Sequence, residues 1–287
     1  MKIMDERHLL DTETNRLFDV LTGKSTGIDF VNDMDWTIRQ NIFYYINVFN
    51  GAGMAIGDIN NDELPDIYFC GNAVEDRLYL NEGELKFRDI TKEAGIESAN
   101  TWSTGAVMID INLDGLQDIY VCRAFNHDDA ELRKNKLYIN NGDMTFSEKS
   151  NEYGLDSEDF SNHATFLDYD KDGDLDMFLL NHPTDVNDRM KFNNHEKIER
   201  NINQTDRLYR NNGNNTFEDI TAEAGINNHG YGLSVQVFDY NEDGWPDLYI
   251  SNDFAMYNYV YVNNQDGTFS EKGKEIFSKN CLFSMGT

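Results

Sequence analysis

Asp168-Tyr169-Asp170-Lys171-Asp172-Gly173-Asp174-Leu175-Asp176 carries a carboxylate at every other position, and the apolar run Met177-Phe178-Leu179-Leu180 follows it directly. The same nonapeptide pattern, D-x-[DN]-x-D-[G]-x-x-D, occurs three more times. It reads Asp58-Ile59-Asn60-Asn61-Asp62-Glu63-Leu64-Pro65-Asp66, then Asp110-Ile111-Asn112-Leu113-Asp114-Gly115-Leu116-Gln117-Asp118, then Asp239-Tyr240-Asn241-Glu242-Asp243-Gly244-Trp245-Pro246-Asp247. Repetition of one unit along a chain marks a tandem architecture and has to be read before any single element.

A second block follows each loop: Leu78-Tyr79-Leu80-Asn81, Leu137-Tyr138-Ile139-Asn140, Leu208-Tyr209-Arg210-Asn211 and Val260-Tyr261-Val262-Asn263. A turn and a phenylalanine come next, at Phe87, Phe146, Phe217 and Phe269. Three repeats then close on Ala94-Gly95-Ile96, Tyr153-Gly154-Leu155 and Ala224-Gly225-Ile226. The steps from Leu78 to Asp110, Leu137 to Asp168 and Leu208 to Asp239 are nearly equal, whereas the step from loop to Leu/Val-Tyr block varies. Insertions therefore fall in one connection per repeat. The longest, from Pro183 to Asp206, is polar and reads as a surface excursion, where function often resides.

Each repeat offers four short aromatic and β-branched runs separated by Asn/Asp/Gly turns. In the first they are 53–56, 66–70, 77–80 and 86–90. Four strands per repeat of this length is the pattern of a propeller blade. Long runs of helical period are missing; Ile90–Ala94 and Ile220–Ala224 each suit one helical turn. The expected fold is all-β, a β-propeller of four-stranded blades, here a partial set. The repeats occupy 23–287 after an N-terminal segment, 1–22. A fifth loop is expected just past Thr287, because Gly53 and Gly105 precede their loops at the distance that Gly286 would precede another. The chain is thus expected to be part of a longer surface protein.

Alternate oxygens on a tight loop suit calcium, a hard cation that takes 6–8 oxygen ligands. The first loop offers Asp58, Asn60, Asp62, the Leu64 carbonyl and Asp66; the second, Asp110, Asn112, Asp114, the Leu116 carbonyl and Asp118. The third offers Asp168, Asp170, Asp172, the Asp174 carbonyl and Asp176; the fourth, Asp239, Asn241, Asp243, the Trp245 carbonyl and Asp247. Up to four Ca²⁺ ions are expected, one per loop. An all-oxygen set disfavours zinc and copper. An EF-hand would need a bidentate Glu at position 12 between helices, but that position is Phe69, Val121, Leu179 or Ile250. Asx turns without a metal are the competing account, and four copies in register weigh against it. The third loop should bind tightest and the first weakest, because Glu63 stands where the others have Gly115, Gly173 and Gly244.

The formal net charge is −28, with 24 basic and 52 acidic residues. That balance excludes nucleic acid as a partner, since phosphate binding needs basic patches. No apolar run suits a transmembrane helix, and the N-terminus lacks a signal-peptide core. Three cysteines, Cys70, Cys122 and Cys281, make no disulfide framework. Cys70 and Cys122 end strand-like runs and are expected as buried free thiols.

The Asp loops, with Tyr231-Gly232-Leu233-Ser234-Val235 leading into Asp239, resemble the FG-GAP (VCBS-type) repeats of integrin α-subunit propellers. The longer register, from Gly27-Ile28-Asp29-Phe30 through Gly51-Ala52-Gly53, the loop, Leu-Tyr-x-Asn, Phe-x-Asp-Ile-Thr and Ala-Gly-Ile, resembles bacterial surface proteins of the ASPIC/UnbV type and cartilage acidic protein. The resemblance implies a seven-bladed propeller, an extracellular, cell-surface or periplasmic location, and recognition of a protein or carbohydrate ligand. The Gly-Ala-Pro expected after the loop is replaced by Cys70-Gly71-Asn72 and Ser251-Asn252-Asp253. Phe125, Phe192 and Tyr257 are candidate sugar-stacking aromatics on inserts. The alternatives are a hydrolase or lyase with a site in the central channel, using His127, His163, His182, His195 or His229, and a structural spacer.

Overall fold

The computed structural model describes residues 18–34, 45–125, 129–182, 205–228, 230–253 and 257–277. Among these described residues, sixteen short strands alternate with turns. The first blade holds β1 (Met54–Gly57), β2 (Asp66–Phe69), β3 (Arg77–Asn81) and β4 (Phe87–Asp89). The second holds β5 (Ser103–Ile109), β6 (Asp118–Arg123), β7 (Lys136–Asn140) and β8 (Phe146–Glu148). The third holds β9 (Ser161–Leu167), β10 (Asp176–Asn181), β11 (Arg207–Asn211) and β12 (Phe217–Asp219). The fourth holds β13 (Gly232–Phe238), β14 (Asp247–Asn252), β15 (Tyr259–Asn263) and β16 (Phe269–Glu271).

Every blade is an antiparallel meander, with strands paired in chain order. The first strands β1, β5, β9 and β13 lie side by side in sequence. The molecule is thus a partial β-propeller, as the fourfold pattern predicts. Close approach at these inner strands explains Gly53 and Gly105. A Cβ on Gly53 would come within 2.9 Å of the Gly105 Cα, and one on Gly105 within 2.8 Å of the Asn162 carbonyl oxygen. The Gly53 N–H donates to the Thr104 carbonyl at 2.8 Å.

Three cores lie between successive blades. Tyr68, Cys70, Leu78 and Ile90 pack against Ile119, Val121 and Tyr138. Tyr120, Cys122 and Leu137 meet Met177, Leu179 and Phe217, and Phe178, Leu180 and Leu208 meet Leu248, Ile250 and Tyr261. Alternation along each strand sends side chains to both neighbours, so the middle strands are apolar on both faces. Cys70 and Cys122 are buried free thiols, as expected. Cys281 lies outside the described residues.

The Leu/Val-Tyr-x-Asn block joins blades. The Tyr138 hydroxyl donates to the Glu97 carbonyl at 2.8 Å, and the Tyr261 hydroxyl accepts the Asn227 N–H at 3.2 Å. Each partner lies two residues after the Gly of the preceding repeat. Tyr79 does the same with Asp29, donating to its carboxylate at 2.7 Å. Phe30 stacks on Phe69 at 5.2 Å. Residues 27–30 therefore cover the first blade as each repeat's closing segment covers the next.

The Pro183–Asp206 insertion falls almost wholly outside the described residues. Among the described residues, no helix is long and apolar enough to cross a membrane.

Candidate metal centres

Each Asp loop connects the first and second strands of its blade, so all four stand at the same end of the sheets. Positions 4 and 6 of every loop adopt left-handed backbone. Position 4 is Asn61, Leu113, Lys171 or Glu242, with φ between 58° and 60°. Position 6 is Gly115 (φ 87°), Gly173 (97°), Gly244 (85°) or, in the first loop, Glu63 (68°). The glycine reading is therefore correct, and Glu63 carries a strain of about 1 kcal/mol that the other loops avoid.

This backbone turns amide hydrogens onto the first aspartate. Asp58 accepts the Asp62 and Glu63 N–H groups at 3.1 and 2.7 Å, and Asp62 accepts the Leu64 N–H at 2.9 Å. Asp110 and Asp239 repeat the arrangement with Asp114, Gly115, Asp243 and Gly244. Asn at position 3 also donates to Asp at position 5: Asn60 to Asp62 at 2.9 Å, Asn112 to Asp114 at 2.9 Å, Asn241 to Asp243 at 2.8 Å.

The third loop cannot do this, because Asp170 has no amide. Oxygens of Asp168, Asp170 and Asp176 lie within 4.8 Å of one another. Asp168 Oδ1 and Asp174 Oδ1 are buried with no hydrogen-bond donor. Buried lone pairs without donors are costly, and converging carboxylate oxygens are what a hard cation takes. These residues fit a metal ion. Asp174 stands outside that convergent trio but brings a buried side-chain oxygen without a donor to the same loop, whereas the sequence pattern assigns only its carbonyl. Burial and then Asp172 push its carboxyl up to about 6.

Position 9 has a further task that the repeat alone does not reveal. Asp66, Asp118, Asp176 and Asp247 are fully buried. One oxygen of each accepts the N–H of position 2 and the other that of the Asn ending the third strand. For Asp118 these are Ile111 at 3.2 Å and Asn140 at 2.8 Å; for Asp66, Ile59 at 3.0 Å and Asn81 at 2.7 Å. Asp176 and Asp247 hold Asn211 and Asn263 in the same way. Burial raises all four carboxyls, to about 7 for Asp118 and about 8 for Asp176, against the lowering by these amides.

A second polar node lies at the opposite end of each blade. The residue two positions before the Leu/Val-Tyr block, Asp76, Asn135, Asp206 or Asn258, accepts an N–H from the end of the second strand: Gly71, Arg123, Asn181 or Asn252. The recurrence of Asp or Asn at that offset is the signal that would have found it. Burial raises Asp76, and it raises Asp206 to about 7.

Of the candidate ligand-contacting aromatics, Phe125 is corrected. It is 8% exposed and stacks on Trp102 at 4.6 Å, with Tyr45 edge-on at 5.5 Å. An apolar ring gains more from that cluster than from solvent. Tyr257 is 41% exposed, with Lys274 over its ring. Phe192 lies outside the described residues, as do His127, His195 and His229. His182 is buried beside Tyr231, and burial lowers the pKa of His163 on β9.

The FG-GAP-like repeat profile matches residues 58–121, 124–179, 198–250 and 239–284. Cartilage acidic protein 1 of Mus musculus is 24% identical over 238 residues, covering 81% of this chain and 32% of that protein. The Homo sapiens protein is 23% identical over 208 residues, covering 72% and 29%. The chain spans about a third of the length of these curated relatives. A solved structure of an Agrocybe aegerita lectin, described as recognising non-reducing terminal N-acetylglucosamine, aligns at 20% identity with a TM-score of 0.41, covering 75% of this chain and 50% of that one. With the loop, the Leu/Val-Tyr-x-Asn block and the blade recurring in register, and the profile matching most of the sequence, the chain belongs to the FG-GAP-like repeat family.

Proposed function

We propose that residues 23–287 form a calcium-binding repeat module that works outside the cell or at its surface and recognises a protein or glycan ligand. The observation that carries the calcium reading is the third loop, where carboxylates converge and two buried oxygens lack donors. In that reading Asp168, Asp170, Asp172, Asp174 and Asp176 hold one ion. The other loops hold one each through their aspartates, Asn60, Asn112 or Asn241, and the carbonyls of Leu64, Leu116 and Trp245. Bound calcium supplies positive charge that cancels carboxylate repulsion and stiffens the loop end of each blade. The extracellular assignment draws support from the cartilage acidic protein relatives and from a site type suited to millimolar calcium. The insertions and exposed Tyr257 are where a ligand would be met.

Scanning calorimetry with and without calcium tests this. A ligand that binds only the native state raises the melting temperature in proportion to the logarithm of its concentration. Millimolar Ca²⁺ should raise it by several degrees, and Asp168→Asn with Asp170→Asn should remove most of the gain. An unchanged melting temperature in millimolar Ca²⁺ overturns the reading.

A further inference from the structure

We infer that Lys171, in the third loop, acts as a tethered cation of the fourth loop and limits how tightly that loop takes a divalent ion. The inference rests on the calcium reading of the loops.

Lys171 is exposed, and its left-handed backbone (φ 60°) points it out of its own loop. Its Nζ lies 4.6 Å from the centroid of the Trp245 ring. The same Nζ is 3.5 Å from where a Cβ on Gly244 would stand. Residues at the matching place in the first two loops carry no charge. The Asn61 amide donates to the Gly115 carbonyl at 3.1 Å, again from position 4 of one loop to position 6 of the next. Leu113, at position 4 of the second loop, has no polar atom and is 62% exposed. Among the described residues, the bridge from third to fourth loop is the one of these that carries a positive charge.

The consequence follows from Coulomb's law. An ammonium set against Gly244 and Trp245 offsets the negative charge of the fourth loop while that loop holds no metal. A divalent ion entering the fourth loop meets a like charge already placed there. It binds against that repulsion, or the lysine leaves and gives up its contact with the indole. The side chain belongs to the neighbouring blade, so it links the two loops.

Trp245 makes the loop its own reporter. Terbium bound there is sensitised by the indole, and Trp102 lies at the far end of β5 from any loop. The 287-residue chain carrying Trp36→Phe is titrated with Tb³⁺ under tryptophan excitation, then with Ca²⁺ in competition. Lys171→Met keeps the length and apolar stem of the side chain but removes the charge. Its fourth-loop affinity should rise about three- to tenfold at low ionic strength, and the gain should shrink in high salt. Lys274→Met, an equal charge change beside Tyr257, should leave that affinity unaltered. Unchanged or weaker binding in Lys171→Met overturns the inference, as does an equal gain in Lys274→Met, and in both cases the calcium reading stands if Asp243→Asn abolishes the signal. No sensitised signal that Asp243→Asn removes overturns the inference together with the calcium reading of the fourth loop.

Discussion

Side chains at alternate loop positions look equivalent in the sequence and are not. Asp114 is exposed and accepts from the Leu116 N–H and the Asn112 amide within its own loop, whereas Asp118 is buried and ties that loop to β7. Asp118→Ala should therefore cost about 2–5 kcal/mol by chemical denaturation even in chelator, because two buried N–H groups lose their acceptors. Asp114→Ala should cost little in chelator and should instead lower the calcium-dependent gain in melting temperature. Glu63→Gly should stabilise the chain by about 0.5–1 kcal/mol, since glycine adopts the left-handed backbone without strain. The sign for Asp206 follows from linkage. Burial raises its folded carboxyl to about 7, with Asn181 and Asn228 as its partners. The native state thus binds more protons than the unfolded state between about pH 4 and pH 7. Its contribution to stability is present at low pH and is lost as pH rises through 7. In chelator, wild type should lose more stability than Asp206→Asn as pH rises from about 5 to about 8, measured as melting temperature against pH.

Blades are joined by a hydrogen bond and a latch as well as by apolar packing. The tyrosine of each Leu/Val-Tyr block meets the closing segment of the preceding repeat. The asparagine two residues later can reach the preceding loop: Asn140 donates to the Ile59 carbonyl and Asn263 to that of Tyr169, both at 2.8 Å. Tyr138→Phe should lower stability by about 0.5–1.5 kcal/mol, the worth of one such bond, with the fold retained. Gly154 shows why the Gly of the closing segment is needed. Its φ is 75°, and an added Cβ would stand 2.9 Å from the Phe217 carbonyl oxygen. Gly154→Ala should cost more than Tyr138→Phe in the same denaturation experiment, because it strains the backbone and pushes two blades apart. Position 2 of the loops follows the same logic. Ile59, Ile111 and Tyr169 are nearly fully buried, whereas Tyr240, which no described blade follows, is 45% exposed.

Across the whole molecule, a net charge of −28 works against compactness. Without calcium, the melting temperature should rise with added sodium chloride as repulsion is screened. With calcium bound, the dependence should be shallower.

Four strands per repeat and the four loops were legible from the fourfold register, because Asp and Gly are required at fixed offsets and β-type runs fill the space between. The unequal loops were legible in part: Glu63 in place of glycine and the extra carboxylates of the third loop stand in the chain itself. Three things were decided only by tertiary structure. Position 9 became a buried strut because β3, β7, β11 and β15 bring a backbone N–H to it from another strand. Phe125 went inside because Trp102 and Tyr45 converge on it from distant positions. Lys171 met Trp245 because propeller packing sets one loop beside the next. Local spacing records what a segment's own backbone demands, whereas these contacts join residues far apart in sequence and exist only once the blades have stacked.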